Sequence, residues 1–148
     1  MREVRMRSSA MTSTACHMIA IDTSALIAIL QHEPERATYF DVIADALPRL
    51  ISAVSVLEAG LVMHSKLGPS GITDVFDFLE FIEVEVVPFD ASQARLALEA
   101  FAKYGKGVHS KARLNFGDCA SYALAKCRNA ALLFKVSDFT ATDITAAI

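Results

Sequence analysis

The chain has 148 residues, the size of one ordinary domain and enough to bury a sizeable core. Hydrophobic residues make up 53% of it, yet no apolar run reaches the roughly 18 residues that a membrane-spanning helix needs. A net charge of −3 excludes a globally basic nucleic-acid binder, so any contact with RNA or DNA must come from a local basic patch.

Residues 1–17 (MREVRMRSSAMTSTACH) are rich in Arg and Ser, contain one acid, Glu3, and lack the apolar stretch of a signal peptide. They read as a dispensable extension in front of a single domain over 18–148. MIAID (18–22) suits a short buried strand, and SALIAILQ follows as a helix with Asp22 or Thr23 as its cap. Pro34 stands where a helix favours its first residue, opening PERATYFDVIADAL, which Pro48 ends. RLISA (49–53) is a second strand. Ser55 is placed to cap VLEAGLVMHSKLG, which Gly68 closes. A helix is predicted over 72–82, a third strand over 84–89, and Asp90 as cap of ASQARLALEAFAKY. A loop with Gly105 and Gly107 leads to LNFGDCASYALAK, a helix through about Arg128 at whose mouth Asp118 stands, and ALLFK (131–135) is the fourth strand. Short apolar strands alternating with helices define the fold class as α/β, with a parallel sheet covered on both faces.

In such sheets the functional edge lies at the carboxyl ends of the strands. Asp22 ends the first strand, Glu58 falls in the first turn after the second, Asp118 opens the helix before the fourth, and Asp138 follows it. Read singly, Asp22 and Asp118 could be helix caps, Glu58 a surface residue and Asp138 a solvated loop acid. Together they make a carboxylate cluster, which is stable only around a cation, and oxygen-only donors favour Mg²⁺ or Mn²⁺ over zinc. From Arg95 to Arg113 the chain also carries Lys103, Lys106, His109 and Lys111 against one acid, Glu99. Part of this run directly precedes Asp118, as a phosphate-backbone substrate would require. Cys16, Cys119 and Cys127 are odd in number and lack CxxC spacing, which points to buried thiols in a reducing cytosol.

MIAIDTSALIAIL, SAVSVLEAGLV, the YGKG–H–LNFGDCASYALAK stretch and LLFK–DF–TDI occur in this order. The chain thereby resembles the PIN-domain ribonucleases from about Met18 to the C-terminus, and among them the VapC toxins of bacterial type II toxin–antitoxin modules. The resemblance implies a three-layer α/β/α sandwich, RNase H-like, with a central, mainly parallel sheet. It implies a cytoplasmic, Mg²⁺-dependent endoribonuclease, Mn²⁺ able to substitute, that cleaves RNA with metal-activated water. Asp22, Asp118 and Glu58 map onto the metal-holding acids and Asp138 onto the same edge, with Ser24 and Asn115 supporting them. Lys106, His109, Lys111 and Arg113 become the candidate RNA contacts. A homodimer and a VapB-type antitoxin covering the groove are the implied partners, with no membrane involved.

Two departures stand out. Val136 and Ser137 replace the Gly and the acid or amide that usually follow LLFK in the family, leaving Asp138 and, further on, Asp143 to supply a fourth acid. Val108 and Ser110 replace the Arg and Pro common in the glycine loop. The rival reading is a catalytically weakened PIN domain that acts by binding antitoxin or RNA. A haloacid-dehalogenase-type enzyme is set aside because Ser24 stands where its second Asp belongs.

Overall fold

The computed structural model describes residues 17–148, so of the extension predicted over 1–17 all but His17 lies outside the described residues. Four strands, β1 (Ile19–Ile21), β2 (Arg49–Ser52), β3 (Glu85–Val87) and β4 (Ala131–Leu133), form one sheet in the order β3-β2-β1-β4. All three pairings are parallel, with Ile19 opposite both Arg49 and Ala131.

Alternation along the short strands sorts the core into two faces. Ile19, Ile21, Ile51 and Leu133 point to one side, where they pack with Leu26 and Ile29 of α1 (Thr23–Leu30), Tyr39 and Ile43 of α2 (Arg36–Asp45), Met63 of α3 (Ala53–Leu67) and Leu79 of α4 (Pro69–Phe81). Ala20, Leu50 and Leu132 point to the other side, against Ala97, Ala100 and Tyr104 of α5 (Ala91–Tyr104) and Tyr122, Ala123 and Leu124 of α6 (Phe116–Arg128). The three-layer sandwich follows directly. Among the described residues no helix is long and apolar enough to cross a membrane.

Several helix starts differ from the sequence reading. α2 begins at Arg36 rather than Pro34, because residues 34 and 35 are spent in a turn closed by the Arg36 amide on the Glu33 carbonyl. The cap of α3 is Ser52, whose hydroxyl accepts from the Val54 amide, and Ser55 lies buried inside the helix. Glu58 therefore sits in the second turn of α3, not the first. Pro69 opens α4 three residues early, directly after Gly68, whose φ of +67° turns the chain. Asp22 and Asp90 cap α1 and α5 as expected.

Candidate active site

The site grows from the carboxyl ends of β1 and β2 and the start of α6. Asp22 leaves β1 and caps α1, with Oδ2 accepting from the amide (3.0 Å) and the hydroxyl (2.6 Å) of Ser24. Oδ1 accepts from the Ser121 hydroxyl on α6 at 2.6 Å. The side chain is almost wholly buried, at 2% exposure. Burial pushes its pKa above the ordinary value, and the hydroxyls of Ser121 and Ser24 and the Ser24 amide oppose that rise.

Asp118 is not the cap of α6. Asn115 is, and the two form a capping box in which the Asp118 amide donates to Asn115 Oδ1 (2.9 Å) and the Asn115 amide donates to Asp118 Oδ2 (3.0 Å). Asp118 is buried, and its pKa is pushed up to about 7. Burial is the largest cause, followed on the raising side by the charges of Asp22, Asp138 and Glu58, while the Asn115 amide pulls the value down. All four predicted acids therefore share one electrostatic neighbourhood.

Asp22, Ser24, Glu58, Asn115 and Asp118 line a common open pocket, which also takes in Val136, the residue that stands in place of the family's glycine. Gly117 makes room for Glu58, since a Cβ on Gly117 would overlap the Glu58 carboxylate. Asp138, in a 3-10 turn over Ser137–Phe139, lines a neighbouring cleft with Lys106, Arg113 and Asn115. Asn115 belongs to both, so the acidic pocket and the basic cleft are continuous.

The remaining predicted residues fall elsewhere. Lys111 is exposed and His109 half-buried outside both pockets. His109 accepts at Nδ1 from the amides of Lys111 (3.1 Å) and Ala112 (3.0 Å), so its place in the structure is as the clasp of the basic loop. Asp143 is not available as a fourth acid, for it accepts from the Tyr122 hydroxyl at 2.7 Å and pairs with Lys126 at 2.9 Å. Cys119 is buried as predicted but Cys127 is exposed.

Three groups went unnoticed in the sequence. Ser121 offered only a serine in an alanine-rich helix. Lys135 and Glu33 line the acidic pocket as an ion pair with Glu35 also engaged at 3.3 Å, and the Lys135 amide donates to Ser24 Oγ at 3.0 Å. Only the place of Lys135 as the last residue of LLFK hinted at this.

Among the described residues, no three His, Cys, Asp or Glu side chains stand close enough together to enclose a metal ion by themselves. The donor set nevertheless fits a hard cation, because Mg²⁺ retains several waters and takes only one or two carboxylates from a protein. Two buried carboxylates, one of them pushed up further by the charges of its acidic neighbours, have the chemistry of a cation's counter-charge.

A parallel sandwich with acids gathered where its strands end is a domain arranged to hold charge at that edge. The family model of the PIN domain matches residues 19–144. Over 128 residues the chain is 44% identical to ribonuclease VapC28 of Mycobacterium tuberculosis, covering 86% of this chain and 96% of that one. It is also 44% identical over 128 residues to a ribonuclease VapC of Mycolicibacterium smegmatis, covering 86% and 98%. The solved structure of Mycobacterium tuberculosis VapC20, a sarcin-ricin-loop-cleaving toxin, matches with a TM-score of 0.70 at 18% identity over 86% of this chain and 96% of that one. VapBC2 of Rickettsia felis, bound to a DNA fragment from its promoter, matches with a TM-score of 0.68 at 16% identity over 87% and 96%. The chain belongs to the PIN-domain family, on the branch of the VapC ribonucleases.

Proposed function

We propose that this protein is the toxin of a type II toxin–antitoxin system, a metal-dependent endoribonuclease that hydrolyses RNA phosphodiester bonds. The observation that carries the reading is the meeting of four acids, distant in sequence, beside a cleft that supplies Lys106 and Arg113. Its 44% identity to VapC ribonucleases across most of the chain supports the same activity.

Asp22, Asp118 and Glu58 would hold Mg²⁺, or Mn²⁺ in its place, with Asp138 adding charge to the same edge. The bound ion would supply water activation and neutralise charge on the phosphate. The chain's own residues do the rest. Ser24 and Asn115 keep Asp22 and Asp118 aimed, and Lys106 and Arg113 draw the RNA backbone along the cleft, with Lys111 adding positive charge at its approach. His109 holds the loop that carries them and takes no part as a base.

A VapB-type antitoxin is the proposed protein partner, in keeping with the VapC relatives and with exposed Leu57 and Leu61 on α3. A homodimer is supported by an apolar groove of about 390 Å³ between α5 and the start of α6, where Leu98 and Phe116 are 71% and 79% exposed. The cytoplasm is the compartment where such RNA and such a partner meet.

Val136 in the acidic pocket favours the second reading, a weakened domain that acts by binding. Expression in a bacterial host separates the two. Growth arrest abolished by Asp22→Asn supports the nuclease, arrest indifferent to that change supports binding alone, and no arrest contradicts a toxin.

A further inference from the structure

Asp22 holds more hydrogen bonds than a helix cap requires, and one arm of them crosses the core. Ser121 donates to Oδ1 from α6, 99 residues away in sequence, and Ser121 Oγ lies 3.2 Å from the Ser55 hydroxyl of α3. A hydroxyl has one proton to give. Ser121 gives its proton to the carboxylate, so Ser55 is the donor in the second bond. The relay therefore runs one way, from Ser55 to Ser121 to Asp22, through three buried side chains.

Each carboxylate oxygen offers about two acceptor sites. Ser24 fills both on Oδ2, which leaves Oδ1, the oxygen gripped by Ser121, with capacity for another partner. Ser121 itself lies in the buried stretch Cys119–Ala125, among Ala120, Ala123 and Ala125, where alanine would fit and a hydroxyl is costly unless bonded.

We infer that Ser121, backed by Ser55, is a positioning residue that fixes Asp22 Oδ1 for a divalent cation. The inference rests on the cation-binding reading proposed above. Ser24 sets one oxygen of Asp22 from its own helix, and Ser121 sets the other from the helix that carries Asp118. The relay thus ties the two acids that would share the ion into one rigid unit.

The test is Mn²⁺ titration calorimetry of the full chain at fixed pH, with Ser121→Ala, Ser55→Ala and the double variant, each checked for folding by near-UV circular dichroism. Ser121→Ala is expected to weaken Mn²⁺ binding by about tenfold, in the range seen when residues behind a metal ligand are removed. Ser55→Ala is expected to weaken it less, and the double variant no more than Ser121→Ala alone, because Ser55 acts only through Ser121. A purely structural serine would leave the affinity unchanged. Unchanged affinity in folded Ser121→Ala overturns the inference, and additive losses in the double variant overturn the relay. Should the wild-type chain bind no Mn²⁺, the cation reading itself falls. Should Ser121→Ala not fold, unchanged affinity in Ser55→Ala overturns the relay by itself.

Discussion

The amide of Asn115 binds Oδ2 of Asp118 while the amide of Asp118 binds Oδ1 of Asn115, so helix cap and buried acid hold each other. The exchange commits one oxygen of Asp118 to the backbone. Among the described residues no donor reaches its other oxygen, which is left to the pocket. Helix formation at Phe116–Arg128 and the aim of the carboxylate are thus one event.

Asn115→Ala removes the acceptor for the Asp118 amide. Loss of such a cap costs about 1 kcal/mol, within a range of roughly 0.5–2. Urea unfolding should show that loss, and Asn115→Asp, which keeps the acceptor, should recover most of it.

Metal-free stability should fall as pH rises from 4 through 7. The ordinary pKa of Asp118 is 3.8 and its folded value about 7, so in that window the folded chain keeps a proton that the unfolded chain has released. Its stabilising effect is full below 3.8 and disappears above 7. The raised pKa of Asp22 acts in the same direction. Thermal melts across this range should show a steady decline that Asp118→Asn flattens. At pH 8, Mn²⁺ at about 100 times its Kd should restore roughly 2.7 kcal/mol.

Gly117→Ala should spare the fold and damage the site. A methyl there collides with the mobile end of the Glu58 side chain rather than with backbone, so Glu58 must swing away. Cleavage should drop by about tenfold or more if Glu58 takes part in orienting the ion. Gly60→Ala on α3 meets nothing within 4 Å and serves as the control, leaving cleavage unchanged.

Lys106→Gln and Arg113→Gln should weaken RNA binding and flatten its salt dependence. For a single strand, neutralising one phosphate fewer lowers the slope of log K against log salt by about 0.7. Lys111→Gln, outside the cleft, should change the slope less. Equal slopes in all three variants would mean that the RNA does not follow the cleft between Asn115 and Asp138.

Strand and helix order was legible in the sequence because Ile19–Ile21, Leu50–Ile51 and Leu132–Leu133 are short apolar runs set between strong helix patterns. Caps were less so. Ser52 and Ser55 are chemically equal candidates three residues apart, and only the path of β2 into α3 decides that the first one caps and the second is buried. At LNFGD the more conspicuous acid, Asp118, proved to be the reciprocal member of a box that Asn115 begins. Asp22, Glu58 and Asp118 were legible as site candidates because each follows or precedes a strand at the functional edge. Ser121 was not, since its partner is a residue of β1's end and no local pattern marks a bond across 99 positions. Asp143 was misplaced for a similar reason: Tyr122 and Lys126, one helical turn apart on α6, capture it on the far side.

Metal-dependent cleavage by Asp22 and Asp118 is put to the test by incubating RNA with purified, partner-free protein in Mg²⁺ or Mn²⁺, in EDTA, and with Asp22→Asn and Asp118→Asn. Cleavage is expected to need the ion and to vanish in both variants, with Val136 and Ser137 tolerated. Cleavage that persists in EDTA or in either folded variant would contradict it.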